Sequence, residues 1–212
     1  MLKGSDLLLL TPAMSREMIL ALALGYLLGS IPFGLLLTRL GGKGDIRDIG
    51  SGNIGATNVL RTGSRLLAAL TLIFDCLKAT AAILIAKRLF GDENAAAAAS
   101  GAMVGHLYSV WLKFRGGKGV ATLLGVLIPL LPIAAGVYAV IWILLLLTIR
   151  ISSVAGMAAA ISAPVSALIL HSSYFPMLLG FAALVLWKHR ENIARLTKGT
   201  EPRIGTRTSS TA

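Results

Sequence analysis

The sequence predicts an all-α, polytopic integral membrane protein, a bundle of transmembrane helices with its N-terminus outside and its C-terminus in the cytoplasm. The 212 residues are 56% hydrophobic and 14% charged, and the mean hydropathy is +0.80. A soluble domain has about 25% charged residues, so this chain has too few to cover a surface that faces water. Its apolar runs are long enough for a hydrocarbon layer of about 30 Å, which about 20 residues cross.

The net charge of +11 is concentrated between the apolar runs. Thirteen of the 20 Lys and Arg residues lie in Gly41–Arg65, Lys113–Gly119 and Lys188–Ala212. Basic segments between apolar runs are typical of the cytoplasmic loops of polytopic proteins, so the predicted partner is the lipid bilayer and not nucleic acid. Cys76 is the only cysteine, which excludes an intrachain disulfide.

Six apolar segments are candidates for crossing the membrane. They are Met18–Leu40, Leu66–Ala86, Ala95–Leu112, Val120–Thr148, Ile151–Leu170 and Phe175–Trp187. The fourth segment is too long for one upright crossing, and Pro132 and Gly136 favour its division into two short ones.

Seven spans follow if all three basic segments face the cytoplasm, because an even number of crossings must then separate Gly119 from Lys188. Five spans are the alternative, with residues 151–187 crossing only once. Arg150 distinguishes the two, since it is cytoplasmic with seven spans and outside with five. Residues 15–201 are predicted to form one transmembrane domain, between an unstructured extension (1–14) and a disordered cytoplasmic tail (202–212).

The first loop, Gly41–Arg61, is denser in glycine and polar residues than a connector requires. Ser51 or Asn53 is expected to cap the helix that follows. The first turns of that helix hold Thr57, Asn58 and Arg61. The last two are three residues apart and share a face, and the helix N-terminus favours an anion. A glycine-rich turn with one interfacial arginine is the alternative interpretation.

The second loop reads Lys113-Phe-Arg-Gly-Gly-Lys-Gly119 and precedes a helix that begins at Val120. Glycines let backbone N–H groups converge on an anion, and Lys118 adds a full positive charge. The N-terminus of the next helix points at the same place. The pattern is not a Walker A loop. An ordinary basic interfacial loop is the alternative interpretation.

The third basic segment begins at Lys188. If the preceding helix continues, His189 and Asn192 face one way, and Glu191 and Arg195 are spaced to form an ion pair. A basic helix end that snorkels to the interface is the alternative, but it leaves the histidine and the asparagine unexplained.

Two charged residues and a histidine lie within apolar segments. Asp75 and Lys78 are three residues apart and are predicted to pair, because an intramembrane charge costs about 2.5–3.5 kcal/mol. His106 is either a satisfied interior histidine or a side chain that lines a site.

Several common catalytic patterns are absent from the sequence. The residues five positions after the three histidines are Trp111, Pro176 and Ala194, so the chain lacks the HxxxxD pair of the better-known glycerolipid acyltransferases. It also lacks a GxSxG elbow, an HExxH motif and a cysteine cluster, so no metal site is predicted.

Five motifs occur together along the chain. They are Gly29-Ser-Ile-Pro-Phe-Gly34, Asp45-Ile-Arg47, the glycine-rich stretch Gly50–Asn58, Lys113–Thr122 and His189–Leu196. Their combination strongly resembles the bacterial acyl-phosphate:glycerol-3-phosphate acyltransferase family, PlsY. The resemblance covers residues from about Tyr26 to Glu201.

This resemblance implies a seven-helix bundle in the bacterial inner membrane with a site that faces the cytoplasm. It implies transfer of a fatty acyl group from acyl phosphate to the 1-hydroxyl of glycerol 3-phosphate, which gives lysophosphatidic acid in the first acylation of phospholipid synthesis. It implies no metal, no cofactor and no acyl-CoA. A soluble partner acyltransferase is implied to form the acyl phosphate. Because acyl phosphate is a mixed anhydride with a good leaving group, positioning and charge stabilisation suffice.

The resemblance also assigns residues. The expected catalytic residues are Ser51, Arg61, Lys118, His189 and Asn192. Four of them would hold glycerol 3-phosphate, and Lys118 would be shared with the acyl phosphate. The expected substrate-binding residues are Asp45, Arg47, Asn53, Thr57, Asn58, Gly116, Gly117 and Gly119. The phosphate of the donor is implied to accept the hydroxyl proton, and His189 is the alternative base.

Two other functions fit parts of the pattern. A transporter or channel for an organic phosphate would also use basic loops, but it needs polar residues along a path across the bilayer, and here the motifs cluster on one side. A membrane scaffold without chemistry leaves the Ser, Asn and His residues of the loops unexplained.

Overall fold

The computed structural model describes residues 14–205, and every regular element in that range is a helix. The α-helices are α1 (Arg16–Ser30), α2 (Phe33–Leu40), α3 (Ala56–Leu60), α4 (Arg65–Phe90), α5 (Ala95–Leu107), α6 (Val120–Leu130), α7 (Pro132–Thr148), α8 (Ser152–Ile169), α9 (Phe175–Lys188) and α10 (Arg190–Thr197). Short 3₁₀ helices lie at Ile46–Asp48, Asp92–Asn94 and Val110–Leu112. Residues 1–13 of the predicted extension and 206–212 of the predicted tail lie outside the described residues.

Three helical stretches in the described range are long and apolar enough to cross a membrane: Arg16–Leu40, Arg65–Phe90 and Ser152–Ile169. Helices α6, α7 and α9 are apolar but shorter. Large apolar side chains, such as Leu147 and Ile169, remain exposed on the outer faces of the bundle, as a lipid-facing surface requires. The count of seven spans and the outward N-terminus stay predictions.

Proline divides two of the predicted segments. The segment Val120–Thr148 is two helices, as predicted, and the break falls at Leu131 immediately before Pro132. Proline has no N–H and is tolerated at the first position of a helix, so α7 begins there. Pro32 lies between α1 and α2 as the N-cap residue of α2.

The predicted segment Ala95–Leu112 is α-helical only as far as Leu107. The carbonyl oxygen of His106 accepts the N–H of Gly117, and that of Leu107 accepts the N–H of Gly116, at 3.0 and 3.2 Å. Because these carbonyls bind the second loop, they do not continue the helix. The end of α5 therefore becomes the support of that loop.

Glycine allows α1 and α5 to pack with their backbones in close contact. Gly25 and Gly29 on α1 lie against the backbone of α5, and Gly101 and Gly105 on α5 lie against the backbone of α1, each pair spaced by four residues. A Cβ atom at Gly29 would lie 2.6 Å from the Cα atom of Ala102, which leaves no room for any side chain. Small residues at this spacing are the usual contact of membrane helices.

Helix α4 lies at the centre of the bundle, where it packs against α1, α5 and α6. The predicted ion pair is present on it, with the Nζ of Lys78 2.7 Å from the Oδ1 of Asp75. Helices α7, α8 and α9 pack one after another, and the Tyr138 hydroxyl of α7 donates to the carbonyl of Val120 at the start of α6 at 2.9 Å. The start of α6 and the end of α9 meet at Gly156 of α8, where a Cβ atom would lie 2.8 Å from Cγ2 of Val120 and 3.7 Å from Nε2 of His189.

Candidate active site

A cavity of about 120 Å³ lies where the first loop, the second loop and the third basic segment (Lys188–Glu201, the third loop) meet. Nine predicted site residues are in its wall: Ser51, Asn53, Thr57, Asn58, Arg61, Lys118, Gly119, His189 and Asn192. The other four predicted residues are not among those that line it: Asp45, Arg47, Gly116 and Gly117. The wall also contains five residues outside the predicted catalytic and substrate-binding set: Asp75, His106, Ser153, Arg195 and Glu201.

Asn58 organises the first loop. Its buried amide nitrogen donates to the carbonyls of Ile46 and Ile49, at 3.0 and 2.8 Å. Its Oδ1 accepts the backbone N–H of Ser51 at 3.1 Å and Nη1 of Arg61 at 3.3 Å. The predicted common face of Asn58 and Arg61 is therefore confirmed as a contact. Asn58 holds the serine and the arginine in place through its amide.

The predicted cap of α3 is wrong. The N-cap residue is Gly55, and no side chain caps the helix. Asn53 lies two residues earlier, and its Oδ1 accepts the N–H of Gly55 at 2.9 Å, which closes the turn before the helix. The first N–H groups of α3 are thus left without a side-chain cap beside the cavity.

Asp45 and Arg47 form an ion-pair cluster with Arg39 outside the cavity wall. Arg47 donates to Asp45 from Nε at 2.8 Å and from Nη2 at 2.5 Å, and Arg39 donates from Nη2 at 2.7 Å. The hydrogen bond from Arg47 lowers the pKa of Asp45 well below its usual range. Asp45 also caps the short helix at Ile46, so the cluster fastens the loop. Its predicted role in substrate binding stays a prediction.

The N–H groups of Gly116 and Gly117 donate to the end of α5, so the expectation that they point at an anion is not met. The N–H groups at the start of α6 take that position. Gly119 is the N-cap in the left-handed region, with φ +86°, and no side chain caps the helix. The first N–H groups of a helix have no partner within it, so an anion can bind there.

Lys118 extends across the cavity from the second loop to the third. Its Nζ donates to the Oδ1 of Asn192. Burial, and then the positive charge of Arg195, lower the pKa of Lys118 to about 8. The ammonium group is therefore charged at neutral pH, and its protein partner in this hydrogen bond is a neutral amide.

Glu201 anchors the third loop. It accepts from the Oγ of Ser153 at 2.7 Å, the Nδ2 of Asn192 at 2.5 Å and the Nε of Arg195 at 2.7 Å. Burial raises the pKa of Glu201, but these hydrogen bonds outweigh it and the net direction is downward. The predicted pairing of Arg195 with Glu191 is wrong, because the chain folds back after α10 and brings Glu201 to the arginine.

His189 presents one ring nitrogen as an acceptor. Its Nδ1 lies 2.8 Å from the carbonyl of Val185, which can only accept, so Nδ1 carries the proton. Burial lowers the pKa of His189 to about 4, so the ring is neutral at pH 7 and its Nε2 is unprotonated. His189 lies at the break between α9 and α10, three residues before Asn192, and both line the cavity as predicted.

Sequence reasoning missed Ser153, Arg195 and Glu201 as parts of the site. Nothing local indicates them, because Glu201 reaches its partners only after α10 ends and the chain reverses. Asp75 and His106 carried a weak signal, since polar residues inside apolar segments are usually functional or paired. The structure places both in the cavity wall.

The arrangement offers binding sites for more than one anionic group. One side has Lys118 and the uncapped start of α6, and other parts of the wall hold Arg61 and Arg195. The carboxylate of Glu201 is paired with Arg195. A neutral imidazole acceptor, His189, lies in the same wall. Phosphate groups are the ligands that this combination of cations and N–H groups favours.

Comparison with known proteins agrees with this chemistry. The family described as Glycerol-3-phosphate acyltransferase matches residues 19–199. The glycerol-3-phosphate acyltransferase of Brucella anthropi is 54% identical over 91% of this chain and 96% of its own length. The enzyme of the same name from Mesorhizobium japonicum is 54% identical over 91% of this chain and 98% of its own.

Two crystal structures of PlsY, an integral membrane glycerol 3-phosphate acyltransferase, have the same fold. The glycerol 3-phosphate form and the lysophosphatidic acid form superpose with TM-scores of 0.83 and 0.81. Each is 37% identical and covers 89% of this chain and 96% of its own. The chain therefore belongs to the PlsY family and is an integral membrane acyltransferase that acts on glycerol 3-phosphate.

Proposed function

We propose that the chain transfers a fatty acyl group from acyl phosphate to the 1-hydroxyl of glycerol 3-phosphate and gives lysophosphatidic acid, the first acylation step of bacterial phospholipid synthesis. The observation that carries this proposal is the charge of the cavity. Lys118, Arg61, Arg195 and the start of α6 face one small volume, which suits two substrates that each carry phosphate.

The two phosphates are assigned to different parts of the wall. The donor phosphate binds Lys118 and the first N–H groups of α6, where the helix dipole adds to the ammonium charge. Glycerol 3-phosphate binds Ser51 and Arg61, which Asn58 holds together, with His189 and Asn192 on the far wall. The glycerol 3-phosphate and lysophosphatidic acid forms of the related PlsY structures support this choice of acceptor and product.

The reaction balances without a covalent enzyme intermediate. The 1-hydroxyl oxygen attacks the acyl carbonyl carbon, and the bond from that carbon to the phosphate oxygen breaks. The departing phosphate takes the electron pair of the broken bond and finally the hydroxyl proton. Lys118 and the α6 N–H groups stabilise the charge that develops on this phosphate, a contribution worth about 3 kcal/mol for one well-placed donor.

His189 orients the hydroxyl group. The unprotonated Nε2 accepts the hydroxyl hydrogen and aims the oxygen lone pair at the carbonyl. With a pKa of about 4, the ring is too weak a base to take the proton, so it acts only as a hydrogen-bond acceptor. The donor phosphate is the final acceptor, and no metal or cofactor is needed.

The proposed setting is the inner membrane, with seven spans and the site on the cytoplasmic side. The acyl chain of the donor enters from the bilayer, and a soluble acyltransferase that forms acyl phosphate is the proposed supplier. The position of Arg150 supports seven spans. It lines a second cavity together with Gly50, Arg61 and Pro202, which places the α7–α8 junction on the side of the first and third loops.

The donor assignment is tested with purified protein, acyl phosphate or acyl-CoA, and labelled glycerol 3-phosphate. Labelled lysophosphatidic acid is expected with acyl phosphate, and a rate at least about 100-fold lower with acyl-CoA, because no acid–base pair assists the poorer leaving group. Equal rates with both donors would contradict the assignment of acyl phosphate as the specific donor. No product with either donor, from protein that still binds glycerol 3-phosphate, would contradict the transferase and favour a transporter.

The orientation is tested with an Arg150→Cys variant in a Cys76→Ala background, labelled in intact cells with a reagent that does not cross membranes. With seven spans, the thiol is expected to react only after the cells are opened. Labelling in intact cells would favour five spans. A cysteine at exposed Lys43 in the first loop is the control for the cytoplasmic side.

A further inference from the structure

A chain of three buried polar side chains ends at the wall of the cavity. The Nζ of Lys78 lies 2.7 Å from the Oδ1 of Asp75, and the same oxygen lies 3.7 Å from the Nδ1 of His106. The three side chains are 2–4% exposed. The Nζ of Lys78 also donates at 2.8 Å to the carbonyl of Ile31, at the break between α1 and α2. Lys78, the member of this row of side chains that lies farthest from the cavity, is therefore anchored in the bundle.

Asp75 is the charged group next to the His106 ring. Nδ1 is buried and has no hydrogen-bond partner among the described residues, and the Asp75 carboxylate faces it at 3.7 Å, beyond hydrogen-bond distance. This arrangement favours the tautomer with its proton on Nδ1. Nε2 is then the unprotonated nitrogen, on the opposite side of the ring.

That opposite side of the ring lies against Gly117. The three atoms nearest to a Cβ at Gly117 all belong to the imidazole, namely Nε2, Cε1 at 2.7 Å and Cδ2 at 3.2 Å. The φ angle of Gly117 is outside the left-handed region, so the backbone itself would accept alanine. Only glycine therefore fits at position 117, because the imidazole ring occupies the space that a Cβ atom would need. The carbonyl of His106 holds the same glycine, since it accepts the Gly117 N–H at 3.0 Å.

Gly117 is followed directly by Lys118 and Gly119, which line the cavity. The glycine turn (Gly116–Gly119) therefore rests on residues 106 and 107 of α5. A shift of the turn by about 1 Å would move both the ammonium group and the start of α6 away from the donor phosphate, and such shifts cost about 100-fold in rate.

We propose that His106 is a positioning residue for acyl transfer. Its imidazole, packed beside the buried Asp75–Lys78 pair, supports the glycine turn and sets the position of Lys118. This inference rests on the proposed function and adds to it a support that lies behind the residues in contact with substrate. His106 acts through Gly117 and exchanges no proton with the substrate.

The test is a double-mutant cycle on Gly117→Ala and His106→Ala, with kcat/KM measured for acyl phosphate. Gly117→Ala alone is expected to lose about 100-fold, because its methyl group overlaps the ring. In the His106→Ala background the same substitution is expected to cost less than about 3-fold, because the three obstructing atoms are gone. An equal loss in both backgrounds overturns the proposal.

Gly116→Ala is the matched control. The atoms nearest to a Cβ at Gly116 are backbone atoms of His106 and Leu107, which no side-chain truncation removes. Its loss is therefore expected to be the same with and without the imidazole. Rescue of Gly116→Ala by His106→Ala would show general loosening of the loop and would also overturn the proposal. Gly180→Ala, whose Cβ meets nothing within 4 Å, controls for the substitution itself.

Two further measurements separate positioning from proton transfer. A positioning residue raises the KM for acyl phosphate, whereas a proton acceptor lowers kcat at unchanged KM and removes a limb of its pH profile. If Gly117→Ala fails to fold, recovery of the folded yield in the double variant supports the proposal. A double variant that also fails to fold overturns it. Wild-type turnover is measured first, so that failure of the proposed function is seen independently of the cycle.

Discussion

Lys78 and Lys118 are two lysines near the same cavity, and the protein treats their charges in opposite ways. Lys78 is buried, and its ammonium is neutralised by Asp75 and bound to the carbonyl of Ile31. Lys118 donates to the amide oxygen of Asn192, and the nearest carboxylate in that network, Glu201, is one hydrogen bond further away. The charge of Lys78 is therefore compensated inside the bundle, whereas the charge of Lys118 is available to a ligand.

The difference shows how to distinguish a structural from a functional buried cation. An ion pair that is complete within the protein has no charge to offer, and breaking it leaves an uncompensated buried group. A lysine held by a neutral amide keeps its charge free for a ligand, although burial and the nearby Arg195 lower the pKa of Lys118 to about 8. Substitution should therefore reduce stability at Lys78 and activity at Lys118.

The largest effect is expected from Asp75→Ala, which leaves Lys78 without its counter-ion. Loss of one partner of a buried pair costs about 3–5 kcal/mol, so folded yield and thermal stability in detergent should fall sharply. Replacing both partners together, Asp75→Leu with Lys78→Met, should restore much of the stability. Asp92→Ala is the control, because its pair with Lys87 is exposed and worth at most about 1 kcal/mol. Equal stability of the two single variants would contradict the assignment.

The next effect concerns activity at unchanged stability. Lys118→Ala removes the charge next to the reacting phosphate and should lower kcat/KM about 100-fold, or about 3 kcal/mol. The matched variant is Lys113→Ala, an exposed lysine five residues earlier, which should lose less than about 1 kcal/mol. Lysophosphatidic acid formation at equal expression measures both. Equal losses would show that the second loop acts only through its overall charge.

The smallest effect is a pH dependence. Because the pKa of free Lys118 is lowered to about 8, its charged form is present below that pH and is lost as the pH rises through it. Above pH 8, kcat/KM should fall about 10-fold per pH unit. By contrast, kcat should stay constant to a higher pH, because phosphate bound next to Lys118 favours the ammonium form. Lys118→Arg should lack this alkaline limb because arginine stays charged. A wild-type kcat/KM that is level to pH 10 would contradict the assignment.

Local patterns in the sequence predicted much of the helical framework. The apolar segments Leu66–Ala86 and Ile151–Leu170 agree closely with α4 and α8. A run of apolar residues long enough to cross a bilayer can be recognised from the sequence alone. Proline predicted the division between α6 and α7. Spacing predicted the Asp75–Lys78 pair, since residues three apart on a helix meet whatever lies around them.

The family was also within reach of the sequence, because its motifs are contiguous. Nine of the thirteen predicted site residues line one cavity, and they come from three loops that the motifs had already marked. Two of the errors were of one kind. Ser51 or Asn53 was expected to cap α3 and Arg195 to pair with Glu191, and in each case a backbone turn supplied a different partner.

Only the tertiary structure decided how these residues are held. The contact of Lys118 with Asn192 joins positions 74 residues apart, and the approach of His106 to Gly117 depends on how α5 ends. Glu201 accepts a hydrogen bond from Ser153, which is 48 residues away in the sequence. This contact depends on a chain reversal that the hydrophobic periodicity of the sequence does not predict. Composition and i,i+3 spacing are properties of a short segment, so the sequence determines them alone. Which carbonyl accepts the N–H of Gly117 depends on the packing of separate helices, and that is fixed only when the whole bundle forms.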